Sequence, residues 1–169
     1  MTLLRVGCWL WRRDRYNSPM LRVTIANPYE YPLEFTKLKD AARAVFEGEG
    51  VRACKVTLAF VDNAHIHRLN KQFLEHDEPT DVLTFPYTAP DAKVLEGEVV
   101  IGFEVAKEYA ADRGHEANLE LLLYAIHGAL HLCGYDDTDD TSAAEMRIKE
   151  REYLAKLGLP DIAGETHST

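Results

Sequence analysis

Apolar and polar positions repeat along this chain with two periods, and together they divide it into short strands and longer helices. Residues 21–26 place Val23, Thr24 and Ile25 in an alternating run that ends at Asn27-Pro28, which predicts a strand. Within 33–47, Leu38, Ala41, Ala42, Val45 and Phe46 recur at helical spacing, and Gly48 and Gly50 stop the helix. Val56, Leu58 and Phe60 share one side of 55–61, the pattern of a half-buried strand. Asp62 is a good N-cap for a helix that reaches Leu74 with Ile66, Leu69 and Phe73 inward. Short apolar strands follow at 82–85 and 98–101, with a loop at 88–96 between them. Residues 103–112 predict a helix closed by Gly114, and 116–133 a strongly apolar one. A final amphipathic helix spans 140–157 and ends at Gly158-Leu159-Pro160. This order predicts one α+β domain over 20–160, with about four strands in a mixed sheet and helices packed on one face.

The apolar helix at 116–133 carries the chemistry. His127 and His131 lie four apart and project from one helix face, with Cβ atoms about 5–6 Å apart, near enough to share a metal ion. Two unpaired imidazoles among Leu119, Leu122, Leu123, Ile126 and Leu130 would be costly to bury. Gly134 offers the left-handed conformation that ends a helix, so the chain can reverse and return the Asp137 carboxylate to the same ion. Three protein donors with a fourth position open describe a catalytic zinc site rather than a structural one. His65 and His67 stand two apart, do not share a helix face, and make a poor metal pair.

The spacing also matches the metzincin peptidase pattern, with Asp in the last place, but the glutamate that follows the first His there is Gly128 here. Without that general base a peptidase loses most of its rate. Gly128 would either leave room for a large substrate or let the helix pack closely. Met146 lies in a helical stretch and is expected to face the core instead of forming a Met-turn.

His127-Gly128-Ala129-Leu130-His131-Leu132-Cys133-Gly134-Tyr135-Asp136 and Pro79-Thr80-Asp81-Val82-Leu83-Thr84-Phe85-Pro86 together resemble the signatures of the YbeY family. Leu69-Asn70 and Gly97-Glu98-Val99-Val100-Ile101 fit two further family elements, with Glu98 where Asp is usual. The resemblance extends over about 21–159. It implies a zinc-dependent, single-strand-specific endoribonuclease acting in the maturation of ribosomal RNA, with RNA and the ribosomal subunit as partners. Thr80, Asp81 and Thr84 become substrate-lining candidates by this resemblance alone. Glu98 is a candidate for orienting a ligand from behind, and Asp136 would either do the same or cap the turn, with the turn the favoured role.

Two departures from the family pattern matter. Asp137 stands where the family has His, adding negative charge and making water on the ion less acidic than three neutral imidazoles would. Leu74 stands where the family has an arginine, which would hold a phosphate by charge-assisted hydrogen bonds. Lys71 or Arg68 would have to substitute, or cleavage of RNA would be weakened. The alternatives are thus a ribosome-assembly binding factor whose nuclease activity has declined and, less favoured, a metallopeptidase.

Composition adds limits. A chain of 169 residues with 46% hydrophobic and 28% charged positions is an ordinary globular protein. The net charge of -9 argues against general nucleic-acid affinity. The charge is uneven, +4 over residues 1–60 and -13 over 61–169, so RNA contacts are expected in the N-terminal part and around Lys71. Cys8, Cys54 and Cys133 form no disulfide framework, which predicts a reducing cytoplasm and no disulfide-linked partner. Cys133 is expected to be a core thiol, not a ligand. The apolar run at 3–11 is too short to span a bilayer and lacks a cleavage site. Residues 1–19 are expected to be an extension or a mis-assigned start, with Met20 as alternative initiator, and 161–169 a frayed tail.

Overall fold

A computed structural model describes residues 19–163. Its strands, β1 (Met20–Ala26), β2 (Ala53–Val61), β3 (Val82–Pro86) and β4 (Leu95–Gly102), form one sheet in the order β1-β2-β4-β3. β1 and β2 are parallel, β2 and β4 are parallel, and β3 runs antiparallel along β4. The sheet is therefore mixed, in a single α+β domain as the patterning predicts. Parallel strands need a crossover, and α1 (Phe35–Gly48) supplies it between β1 and β2. β4 begins at Leu95 rather than Glu98, because Leu95, Glu96 and Gly97 pair with Cys54, Lys55 and Val56 and Glu96 bridges to Lys55 at 3.0 Å.

Strand alternation separates two apolar layers. Val23, Val56, Leu58, Phe60, Val99 and Ile101 face the main core with α1 and α4 (Ala117–Leu132). Ala59, Val61, Leu83 and Val100 face the other way, against Ile66 and Leu69 of α2 (Asn63–Leu74). Helices thus lie on both faces of the sheet, not on one. The patterning hides this because the second layer is small: the β2 strand reads as half-buried until Ala59 and Val61 are seen to be covered.

Capping follows the chemistry. Asp62 accepts the His65 backbone N–H at 2.7 Å and opens α2, and Asp139 accepts from Thr141 and Ser142 to open α5 (Asp140–Lys156). α3 (Phe103–Arg113) ends at Gly114 in the left-handed conformation, φ 74°. The expected N-terminal segment falls, except for Pro19, outside the described residues, and so does the tail beyond 163. Ala163 itself is buried, and Asp161 pairs with Arg151 at 3.1 Å, which holds the start of that tail against α5. No helix of the described residues is long and apolar enough to cross a membrane.

Candidate metal centre

α4 is apolar on nearly all sides because it runs through the middle of the main core, with Leu121 through Ile126 buried without a break. His127 and His131 sit one turn apart at its C-terminal end, partly open to solvent. Cys133 caps the helix, Gly134 takes φ 101°, and the Tyr135 N–H donates to the Leu130 carbonyl at 3.1 Å. A β-carbon at that φ is strained, so the reversal depends on glycine. The turn carries Asp137 back over the last turn of α4.

The three side chains converge. The two Nε2 atoms lie 3.0 Å apart, and Asp137 places Oδ2 at 3.5 Å from His127 and Oδ1 at 3.6 Å from His131. One donor atom from each residue falls within 4.8 Å of the others. Such separations suit donors that each reach a single ion at about 2.0–2.2 Å.

The opposite ring nitrogens are tied down. His131 Nδ1 lies 3.0 Å from the Tyr135 carbonyl, which can only accept, so that nitrogen carries the proton. His127 Nδ1 lies 2.6 Å from Glu150 Oε1, an acid on α5 that is only 6% exposed. Both Nε2 lone pairs therefore point at one spot, with a carboxylate beside them. Three acceptors facing each other call for a cation between them, either a metal ion or a proton held on one ring. Carboxylate and carbonyl partners behind imidazole ligands are how metal sites fix the tautomer. The protonation tendencies show which ring takes a proton when no ion is bound. Burial pulls His127 down, but Glu150, Asp81 and Asp137 outweigh it and leave its pKa above the ordinary imidazole value. His131 goes the other way, lowered by burial and by the neighbouring His127 charge against smaller pulls from Asp137 and Tyr135.

Other expected site residues divide. Asp81 lies close enough for its charge to raise His127, and its Oδ1 accepts from the Thr80 hydroxyl at 3.0 Å and the Val82 N–H at 2.8 Å. Thr84 pairs with Val99 and shares the sheet face that α4 covers. Glu98 does not orient a ligand: alternation along β4 turns it to the α2 face, where it accepts the Tyr87 hydroxyl at 3.0 Å. Asp136 takes the favoured one of its two expected roles, since its oxygens accept the Asp137 N–H at 2.8 Å and the Thr138 hydroxyl at 2.7 Å. It shapes the turn. Lys71 binds Asp77 at 2.9 Å on the exposed side of α2, and Arg68 is exposed on the same helix. No hydrogen bond or ion pair among the described residues ties either to the metal group. Leu74, the last residue of α2, is 52% exposed. His67 also holds Asp77, and Cys133 packs on the core with its thiol pushed up to about 12 by burial. Met146 is buried in the core.

Gly128 packs. A β-carbon there would press on Val99 and stand 3.3 Å from Val82 Cγ1, so this position faces the sheet and not the metal group. A glutamate at 128 would be aimed into Val99, which removes the geometric basis of the peptidase pattern. Glu150 escaped the sequence reading because it lies 23 residues from His127. Its signal was present: Met146, Glu150, Tyr153 and Leu154 form the buried stripe of α5, and an acid on such a stripe requires a partner.

A sheet-backed helix presenting two imidazoles, joined by a carboxylate from the following turn, could hold a single metal ion, as the centres of the metallohydrolase class do. Comparison with known proteins narrows this. The family model described as Endoribonuclease YbeY matches residues 27–158, and the chain belongs to that family. An Endoribonuclease YbeY from Pelotomaculum thermopropionicum is 40% identical over 129 residues, 72% of this chain and 85% of that one. Another from Chlorobium phaeovibrioides is 35% identical over 148 residues, covering 88% of this chain and 99% of the relative. A solution structure of a Thermotoga maritima protein aligns with TM-score 0.59 at 29% identity, over 88% of this chain and 98% of that one.

Proposed function

We propose that this chain is a zinc-dependent endoribonuclease that cuts single-stranded RNA during the maturation of ribosomal RNA. The observation that carries the metal-dependent reading is the pair of Nε2 atoms 3.0 Å apart, each facing Asp137, with both Nδ1 atoms already engaged. His127, His131 and Asp137 hold the ion, and nitrogen with carboxylate donors suits zinc. Bound there, the ion supplies Lewis acidity toward a phosphoryl oxygen and lowers the pKa of water. The chain's own residues do the rest. Glu150 and the Tyr135 carbonyl keep both imidazoles in the tautomer that presents Nε2. Asp81 and Thr80 stand at the His127 side, where a substrate hydroxyl or base edge would meet polar groups. The family name of the relatives supports RNA as substrate, and the reducing cytoplasm suits the free Cys54 and Cys133 thiols.

A second reading has its own observation. The family's arginine position is Leu74, and the neighbouring Lys71 is held by Asp77. A ribosome-assembly factor that binds RNA and cuts it slowly would fit that loss of a phosphate anchor.

Metal analysis combined with cleavage assays on wild type and His131→Ala separates these. Metal-dependent RNA cleavage that disappears in the variant is expected. RNA binding without cleavage would favour the assembly factor, and peptide cleavage would overturn both. A 2′,3′-cyclic phosphate product would identify the RNA hydroxyl as nucleophile.

A further inference from the structure

Beside the three donors lies a second polar cluster that metal binding alone does not require. Glu49, at the C-cap of α1, has a side chain 15% exposed and gathers donors from two distant elements. Its Oε1 accepts from the Tyr153 hydroxyl at 2.6 Å and the Lys149 ammonium at 3.0 Å. Its Oε2 accepts from the Tyr135 hydroxyl at 2.8 Å. We propose that Glu49 is a positioning residue for the metal centre, acting through Tyr135 on His131. The inference rests on the metal-site reading above.

Tyr135 is held at both ends. Its ring is anchored on Glu49, and its carbonyl oxygen takes the Nδ1 proton of His131 at 3.0 Å. Between the helix end and this carbonyl stands Gly134 at φ 101°, the residue with the widest backbone freedom. A turn hinged on glycine keeps a carbonyl at one spot only if something beyond the hinge is fixed. Glu49 provides that anchor from an element 86 residues away. The anchor is itself rigid. Tyr153 is 1% exposed, and Gly48 lies so close to its ring that a β-carbon there would meet it.

α5 thereby governs both imidazoles. Glu150 bonds His127 directly, while Lys149 and Tyr153 on either side of it hold Glu49, whose other oxygen holds Tyr135. The Lys149 ammonium also lies 5.8 Å from the Tyr135 ring centroid, a second tie between α5 and the turn.

The test compares Glu49→Gln, Tyr135→Phe and the double variant for Zn²⁺ affinity, by competition with a chromophoric chelator at a temperature where all are folded. Each single change is expected to weaken binding about tenfold. The double variant is expected to match the weaker single within about threefold, because both act along one path. In the metal-free protein, long-range ¹H–¹⁵N spectra should show His131 protonated at Nδ1 in wild type and a mixture of tautomers in Glu49→Gln. Ile66→Ala, which loosens the separate apolar layer on the opposite face of the sheet, should lower thermal stability and leave Zn²⁺ affinity unchanged. Wild-type affinity and tautomer in Glu49→Gln would overturn the positioning role alone. An equal loss in Ile66→Ala would overturn it too, by assigning the effect to general loosening. Absence of Zn²⁺ binding by wild type would overturn both this role and the metal reading.

Discussion

Replacing Gly128 by alanine should destabilise the protein and weaken metal binding together, against the usual benefit of alanine in a helix. Helix propensity alone favours Gly→Ala by about 0.8–1.0 kcal/mol. The added methyl, however, would press on Val99, which is fully buried on a strand paired on both sides, and approach Val82 Cγ1 at 3.3 Å. Valine is stiff at χ1 and cannot swing aside. Overpacking of this kind costs about 1–3 kcal/mol, and a rigid neighbour places the cost in the upper part of that range. The net loss is about 1–2 kcal/mol, which for a chain of 169 residues lowers Tm by about 2–8 °C. Lifting α4 from the sheet also moves His127, the adjacent residue. Val99→Ala by itself should cost about 2 kcal/mol in lost methyls and cavity. In the double variant the new methyl occupies part of that cavity, so its stability should equal or exceed that of Val99→Ala, with metal affinity restored. Urea denaturation and chelator competition on the four proteins measure both quantities. A Gly128→Ala protein more stable than wild type, or strictly additive losses, would refute the packing argument.

Glu150→Gln keeps the volume behind His127 but removes the charge, and should weaken metal binding about 10–100-fold, or about 1.4–2.7 kcal/mol. Calorimetric titration checks this, and unchanged affinity would show that the 2.6 Å contact does not support the ligand. Burial pushes the Glu49 carboxyl up, but hydrogen bonds from Tyr153, Tyr135 and Lys149 leave it below the ordinary glutamate value. Its contribution to stability is therefore complete above an unfolded pKa of about 4.3 and is lost as pH falls through the folded value. Below pH 5 the urea midpoint of wild type should fall more steeply than that of Glu49→Gln, and parallel profiles would count against the depression. Leu74→Arg, which restores the family's cation at the end of α2, should raise RNA cleavage; no increase would discard the missing arginine as a deficit.

What the chain reveals before folding depends on whether partners are near in sequence. The metal trio is local: His127, His131 and Asp137 lie within one helix end and its turn, so helical geometry and one glycine suffice to bring them together. Strand and helix periods place the elements for the same reason, since each reports burial along a continuous segment. Partners across elements escape this reading. Glu98 sits two residues from Val100 and within a matching family block, yet only the register of β4 tells that it faces α2 instead of the metal. Lys71 reads as an available cation until Asp77 is found beside it in the folded chain. Glu150 and Glu49 were hidden by distance, because an isolated acid on a helix looks solvated until the packing of α5 is known.

The separation between Glu49 and Tyr153, 104 residues, bears on how the centre comes into being as the chain folds. The two histidines need only one helical turn, so a nascent α4 can already capture an ion weakly, and such capture by the unfolded ensemble subtracts from the stabilisation metal would otherwise confer. The Glu49 cluster requires closure of a loop of 104 residues, more than half of the chain, a slow and costly event in loop entropy. Tight retention of the ion is then a late property, reached only when the first helix and the last have met. Release of metal during denaturation should accordingly coincide with global unfolding of the domain and not precede it.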